Sequence, residues 1–304
     1  MKRVQVADMV AAPALVLGCM RMAALTTAEA ARTIAAALEE EIDFFDHADI
    51  YGGGDSERRF AAALKELGVR RESLVLQSKC GIRKGQFDFS YRHIVDSVDG
   101  ILERLETEYL DVLLLHRPDA LVEPEEVARA FSDLEAAGKV RRFGVSNHNP
   151  AQIRLLKTAV RQELKINQLQ LSLVHCPMID AGLNVNMENE AGIVRGSDVL
   201  ENARIDGVTI QAWSPLQYGM IEGNFIGHPD YAHVTAALEE MGARYGLSAH
   251  ALAIAWILRH PARMQVVVGT MNPGHLRDLA KAAAVELSRE DWYGLYRATG
   301  KTLP

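Results

Sequence analysis

Asp111-Val112-Leu113-Leu114-Leu115-His116-Arg117-Pro118 is the stretch on which the fold turns. Four successive apolar residues leave no polar face, so a strand here is covered on both sides, as in a parallel sheet flanked by helices. The run then stops at a histidine. Val266-Val267-Val268-Gly269-Thr270 repeats the pattern near the other end of the chain. Short apolar runs alternate with longer helical patterns throughout, giving candidate strands at 14–18, 42–46, 73–78, 110–115, 140–145, 165–169, 208–213 and 264–268. Helix punctuation separates them. Thr26-x-x-Glu29 reads as a capping box, Asn149-Pro150 as a cap followed by proline at the first helical position, and Gly138 as the left-handed stop of a helix over 125–137. Eight strands each followed by a helix, without a linker, predict a single (β/α)8 TIM-barrel domain of the α/β class over residues 1–304. Helical patterns at 231–245 and 248–259 both precede the last strand, and one at 288–298 trails the barrel, so an extra C-terminal helix is expected. A doubly wound sheet would want a glycine fingerprint after an early strand; Gly52-Gly53-Gly54-Asp55 has the wrong spacing.

Composition narrows the function classes. The 304 residues carry 33 Lys+Arg against 40 Asp+Glu, a net charge of −7, and 48% are hydrophobic, ample for a core. With no basic stripe to offset that charge, nucleic-acid binding is disfavoured. Cys19, Cys80 and Cys176 show no CxxC spacing, which fits neither a disulfide framework nor a zinc site and suits a reducing, cytoplasmic compartment. Cys80 is expected to be a buried, inert thiol. Lys2-Arg3 ahead of the apolar stretch 9–18, ending Val16-Leu17-Gly18-Cys19, imitates a lipoprotein signal. Asp8 and Pro13 argue instead for a buried strand ending at Gly18. No run of eighteen apolar residues predicts a membrane span. The ten histidines form no HxH or HExxH pair, against a metal-dependent hydrolase. Gly294-x5-Gly300-Lys301-Thr302 is one residue too long for a P-loop. Trp256 and Trp292 fall inside helical patterns and are expected in the core; Lys139, Arg141 and Arg142 read as a solvated strand start.

A barrel's chemistry gathers at the C-terminal ends of its strands. Those positions hold Gly18, Asp46, Lys79, His116, Ser146-Asn147, Gln168, Ser214 and Gly269-Thr270, with Tyr51 five residues beyond Asp46. A tyrosine hydroxyl, with pKa near 10, is a weak acid. An adjacent Lys79 ammonium would favour the phenolate and lower that value, and Asp46 would keep the lysine charged and oriented. His116 would hydrogen-bond a carbonyl oxygen. Such a group suits proton delivery to an oxygen as hydride arrives at carbon.

These residues carry a family resemblance. Phe45-Asp46-His47-Ala48-Asp49-Ile50-Tyr51-Gly52 resembles the Phe-Asp-Thr-Ala-x-x-Tyr-Gly signature of the aldo-keto reductases. Asp111 to Pro118, Gly144-Val145-Ser146-Asn147 and Asn167-Gln168 are similar to their fourth, fifth and sixth strand ends. The likeness extends from about residue 13 to 285 and is strongest to a bacterial branch of largely uncharacterised oxidoreductases. It implies an NADPH-dependent reductase of small-molecule carbonyl compounds, with NADH as the other cofactor choice and without a metal. It implies a catalytic tetrad of Asp46, Tyr51, Lys79 and His116, with Tyr51 as proton donor. Ser146, Asn147 and Gln168 would hold the nicotinamide carboxamide, and Trp213 would stack on the ring. Gly18 and Met20 would line the cofactor site, Ser214 and Leu216 would approach the pyrophosphate, and Gly269, Thr270, His275 and Asp278 the adenosine phosphate. Met20, Met22, Arg117 and Tyr218 are candidates for contact with substrate.

Three departures qualify this expectation. His275 stands before Leu276 where the family commonly has an arginine, and Arg277 comes one step later. His47 replaces a threonine beside Asp46, where it offers an extra hydrogen bond. Only residues 299–304 follow the last helical pattern, which predicts a more open site than in relatives with a longer tail. The rival function is a nucleotide-binding regulatory or redox-sensing relative with little turnover. The sequence carries no reading of the oligomeric state.

Overall fold

Strands that are apolar on both faces are stable when each is hydrogen-bonded along both edges and covered by helices, and closing the sheet removes its edges altogether. The computed structural model, which describes residues 1–219 and 222–303, does this with eight parallel strands. They are β1 (Leu15–Gly18), β2 (Phe44–Asp46), β3 (Val75–Cys80), β4 (Val112–Leu115), β5 (Phe143–Ser146), β6 (Leu164–Gln170), β7 (Thr209–Trp213) and β8 (Gln265–Val268). They follow chain order around a closed barrel, and β8 pairs back onto β1 through Val266 with Leu15 and Val268 with Leu17. Every residue of β4 and β8 is buried, as their composition requires.

Eleven α-helices surround the described barrel: α1 (Thr27–Glu39), α2 (Asp55–Leu67), α3 (Tyr91–Leu105), α4 (Pro124–Ala136), α5 (Pro150–Leu156), α6 (Pro177–Leu183), α7 (Val199–Asp206), α8 (Ala232–Tyr245), α9 (Ala249–Leu258), α10 (Pro273–Ala280) and α11 (Arg289–Ala298). The expected Thr26/Glu29 capping box starts α1, and Asn149 starts α5 in a second box with Gln152. The expected extra C-terminal helix is α11. Its anchor is Trp292, stacked on Trp256 of α9 with ring centroids 4.9 Å apart. Each indole N–H donates to the other's backbone carbonyl, at 3.1 and 3.0 Å, so two large apolar groups are buried with their polar atoms satisfied.

Some boundaries move for local reasons. The stretch 9–18 is not one strand: Met9–Pro13 pairs antiparallel with Arg3–Val6, and only Leu15–Gly18 enters the barrel. The third strand begins at Val75 because a 3₁₀ turn occupies Arg71–Ser73, and it runs on to Cys80, which places Lys79 inside the strand. The fifth begins at Phe143, with Val140 making only an isolated bridge to Leu110. The basic cluster before it is more than solvated. Lys139 pairs with Asp99 at 2.6 Å, Arg141 pairs with Asp111 and covers the Tyr109 ring at 3.7 Å, and Arg142 pairs with Asp8. Among the described residues no helix is long and apolar enough to cross a membrane.

Candidate active site

The C-terminal strand ends open into a cleft of about 1100 Å³. Its chemical centre is built from β2 and β3. Lys79 has no solvent exposure, and an ammonium so placed must be ion-paired and hydrogen-bonded to stay charged. It donates to both Asp46 carboxylate oxygens at 2.8 Å, to the His47 carbonyl at 2.7 Å and to the Tyr51 hydroxyl at 3.3 Å. Burial works against the lysine's charge, but the Asp46 carboxylate and the Tyr51 oxygen outweigh it and leave its pKa above 10.5. Tyr51 reaches the cleft from a short turn in which Gly52 has φ +58°, and a Cβ there would meet the Ala23 Cβ at 2.6 Å. Only glycine fits that conformation in that space.

The sequence expectation of a lowered Tyr51 pKa is corrected by the structure. Burial pushes the phenol upward, and the Lys79 charge only partly opposes it. Tyr51 is therefore a protonated phenol at neutral pH. His116 lies edge-on to the Tyr51 ring, centroids 6.1 Å apart. Burial, then Lys79 and Arg117, hold the imidazole pKa well below 6.5, so it is neutral. Its Nδ1 is buried without a partner. A lone pair left unpaired costs less than an unpaired N–H, which favours the tautomer carrying hydrogen on Nε2.

Asp46 is held by more than the lysine. Gln77 and Gln168 donate to its Oδ1 at 2.6 and 3.1 Å. Gln77 also donates to Gln211 at 2.8 Å, Gln211 to Gln265 at 2.9 Å, and Gln265 to the Pro13 carbonyl at 2.7 Å. This buried amide column through the barrel was missed by the sequence reading. Its trace there is a glutamine interrupting otherwise apolar strands at 77, 211 and 265.

Ser146, Asn147 and Gln168 come together, but their donors are spent within the protein. Asn147 donates to the His116 carbonyl at 3.2 Å and the Ser146 hydroxyl at 2.9 Å, Ser146 donates to the Gln168 carbonyl, and Gln168 donates to Asp46 and Gln211. What they retain toward the cleft is acceptor capacity, which suits a ligand N–H₂ group. The Trp213 indole N–H donates to Asn147 Oδ1 at 3.2 Å, fixing the ring at the wall.

The remaining expected residues, Gly18, Met20, Ser214, Leu216, Gly269, Thr270, His275 and Asp278, all line the same cleft. Asp278 accepts from Ser248 and Lys281; its charge is of the wrong sign for a phosphate and suits a hydroxyl or amine. Arg277 points away, bonded to Glu39 at 2.7 Å, so it does not replace the arginine missing at His275. A cation overlooked in the sequence does line the cleft: Arg21 donates to the Gly269 carbonyl at 3.0 Å. His47 makes no extra hydrogen bond. Both ring nitrogens are buried and unpartnered, its pKa is pushed down to about 3 by burial and by Lys79, and the ring packs against Phe60 at 4.6 Å. The Cys80 thiol is fully buried and pushed well above 9.0 by burial. Of the substrate candidates, Met20 and Arg117 line the cleft while Met22 is wholly buried.

A closed barrel with a buried lysine–carboxylate pair under a cleft tyrosine and histidine is the arrangement of a hydride-transfer oxidoreductase, and the chain belongs to the aldo/keto reductase family, whose model matches residues 14–297. It is 34% identical to a 6-dehydroglucose reductase from Agrobacterium fabrum (strain C58), over 99% of both chains. It is 33% identical to the uncharacterized oxidoreductase YcsN of Bacillus subtilis (strain 168), over 98% of both. Among solved structures, an aldo-keto reductase from Klebsiella pneumoniae in complex with NADPH shares the fold with a TM-score of 0.79 and 24% identity, over 97% of this chain and 94% of that one.

Proposed function

We propose that this chain is an NADPH-dependent carbonyl reductase in which Tyr51 delivers the proton and Asp46, Lys79 and His116 complete the reacting group. The observation that carries the reading is Lys79, an ammonium without solvent contact bonded at once to Asp46 and to the Tyr51 hydroxyl. The cleft fits a dinucleotide by its donors and acceptors. Carboxamide-matching acceptors stand beside Trp213, and the Ser214 and Thr270 hydroxyls, Asn272, His275 and the Arg21 guanidinium line the side toward β7 and β8. The nicotinamide, when bound, supplies the hydride.

The protein's own groups supply the rest. His116, neutral and carrying its proton on Nε2, orients a carbonyl oxygen toward the Tyr51 hydroxyl. Tyr51 gives its proton to that oxygen, and Lys79 stabilises the phenolate left behind. With an anionic cofactor and a net-acidic chain, local donors carry the binding. Histidine at 275 offers a weaker grip on a 2′-phosphate than a bidentate arginine. A carbonyl panel assayed with NADPH and NADH in parallel tests the reading. Turnover of aldehydes favouring NADPH is expected; cofactor binding with no turnover of any carbonyl would instead mark a regulatory relative. NADPH should also quench Trp213 emission against the background of the buried pair Trp256 and Trp292, and the quench should vanish in Trp213→Leu. An unchanged quench in that variant would remove Trp213 from the nicotinamide site.

A further inference from the structure

The segment that carries Tyr51 runs from the end of β2 into the first turn of α2, and a charged cluster outside the reacting group grips it from behind. Glu57, in that first turn, has no solvent exposure. One of its carboxylate oxygens accepts from the Ser78 hydroxyl at 2.9 Å and the other from Arg104 Nε at 2.6 Å. Ser78 immediately precedes Lys79 on β3, so the pair braces that strand on the face opposite the lysine. Arg104 comes from the last turn of α3, and two glycines make room for it. A Cβ on Gly54, which closes the Tyr51 turn at φ +94°, would meet Arg104 Cδ at 2.6 Å and Nε at 2.8 Å; one on Gly100 would meet its Nη1 at 2.9 Å. The arginine stem therefore packs directly on the backbone of the turn.

A second carboxylate depends on the same cation. Asp49 stands two residues before Tyr51, and its backbone N–H donates to the Lys79 carbonyl at 3.0 Å. Its Oδ1 is buried without a hydrogen bond. Burial, then the Glu57 charge, push the Asp49 pKa up to about 6, while Arg104 and Ser97 favour the carboxylate. The other groups facing the cluster leave Arg104 the main counter-charge. Lys79 is bonded to Asp46, Arg58 pairs with Asp55 at 3.0 Å, and His93 contacts Ser97 at 3.5 Å. Burial keeps the Cys19 and Cys80 thiols protonated. Two carboxylates this poorly hydrated repel each other unless a cation stands by them.

Building on the reductase reading, we propose that Arg104 is a positioning residue for the reaction: by neutralising Glu57 and Asp49 and packing against Gly54, it holds the Tyr51 turn on β3 and keeps the phenol in contact with Lys79.

The test measures kcat, KM and NADPH affinity with 4-nitrobenzaldehyde in the parent, Arg104→Gln and Arg104→Lys. At about pH 8, Arg104→Gln should lose about ten- to a hundredfold in kcat, the usual effect of a misplaced reacting group, with KM and NADPH Kd within about threefold. Arg104→Lys, which keeps the charge, should retain most of the rate. Without any cation the carboxylates oppose each other's ionisation, and a proton taken up in acid relieves the repulsion. The Arg104→Gln rate, as a ratio to the parent's, should therefore recover about tenfold from about pH 8 to about pH 5.5. A kcat near the parent's, a deficit equal at both pH values, or an equal loss in Arg104→Lys overturns the proposal. Should Arg104→Gln fail to fold, Asp49→Asn/Glu57→Gln/Arg104→Gln leaves no charge in the cluster and should fold, with a ratio that does not change with pH. A triple variant that also fails to fold would mean that Arg104 supplies packing rather than charge, and would overturn it. Hydrogen exchange needs no turnover. Amides of residues 49–57 should exchange about tenfold faster in Arg104→Gln at the alkaline end, and unchanged protection there would also overturn the assignment. A parent that reduces no carbonyl compound overturns the reductase reading, while the exchange result still decides whether Arg104 holds the turn.

Discussion

Replacing Tyr51 with phenylalanine is expected to slow carbonyl reduction about a hundred- to ten-thousandfold, the usual worth of a positioned general acid, while NADPH affinity stays within a few-fold. The substitution removes one oxygen and keeps the ring, so packing against His116 survives. What disappears is the proton and its 3.3 Å contact with Lys79. No neighbour can substitute: His116 is held neutral by burial and by the charges of Lys79 and Arg117, and Lys79 has no exposure to the cleft. The upward push of burial on Tyr51 adds a pH signature. Because the acid form persists, the parent's reduction rate should stay level through neutral pH and decline only on the alkaline side of the ordinary tyrosine value near 10. A rate in Tyr51→Phe equal to the parent's would show that the proton comes from elsewhere.

The barrel was legible because burial on both faces writes itself directly into composition. Val112–Leu115 and Val266–Val268 admit no amphipathic reading, and the residues at which the runs stop, His116 and Gly269-Thr270, line the cleft. Lys79 shows the limit of that logic. Boundaries read from hydrophobicity placed it just past a strand, because a lysine looks like a terminator, whereas its charge is neutralised by Asp46 and the strand continues through it to Cys80. The amide column of Gln77, Gln211 and Gln265 was illegible for a related reason: each glutamine is satisfied only by partners far away in sequence. His47 looked like an added hydrogen bond and is instead a buried ring against Phe60. Pairings such as Arg142 with Asp8, or Arg277 with Glu39, join residues that no local pattern relates. The Tyr51 shift was misjudged because the charge of its neighbour was visible in sequence and the depth of its burial was not.

Removing the Lys79 charge should produce the largest loss of stability. Lys79→Met is expected to destabilise the fold by about 3–5 kcal/mol, since it strands the buried Asp46 carboxylate without a counter-charge. The measurement is the shift in urea midpoint. Gln77 and Gln168 would still donate to Asp46, but two amide N–H groups do not neutralise a carboxylate. Adding Asp46→Asn should recover much of the loss, because asparagine drops the charge while keeping an oxygen for Gln77. The double variant should remain inactive, as no ammonium then stands beside Tyr51. The sign with pH is also fixed: Lys79 is raised above 10.5 in the fold, so its stabilisation is complete through neutral pH and fades only as pH rises through the folded value. A double variant as unstable as Lys79→Met alone would mean that the loss comes from the missing side-chain packing rather than from an uncompensated charge. Recovery of stability without recovery of turnover would separate the two uses of this pair. For the fold, removing both charges is expected to cost far less than removing one. The proposed mechanism, by contrast, requires both charges, because it needs the lysine charged, dry and in contact with the phenol oxygen at the moment the proton leaves.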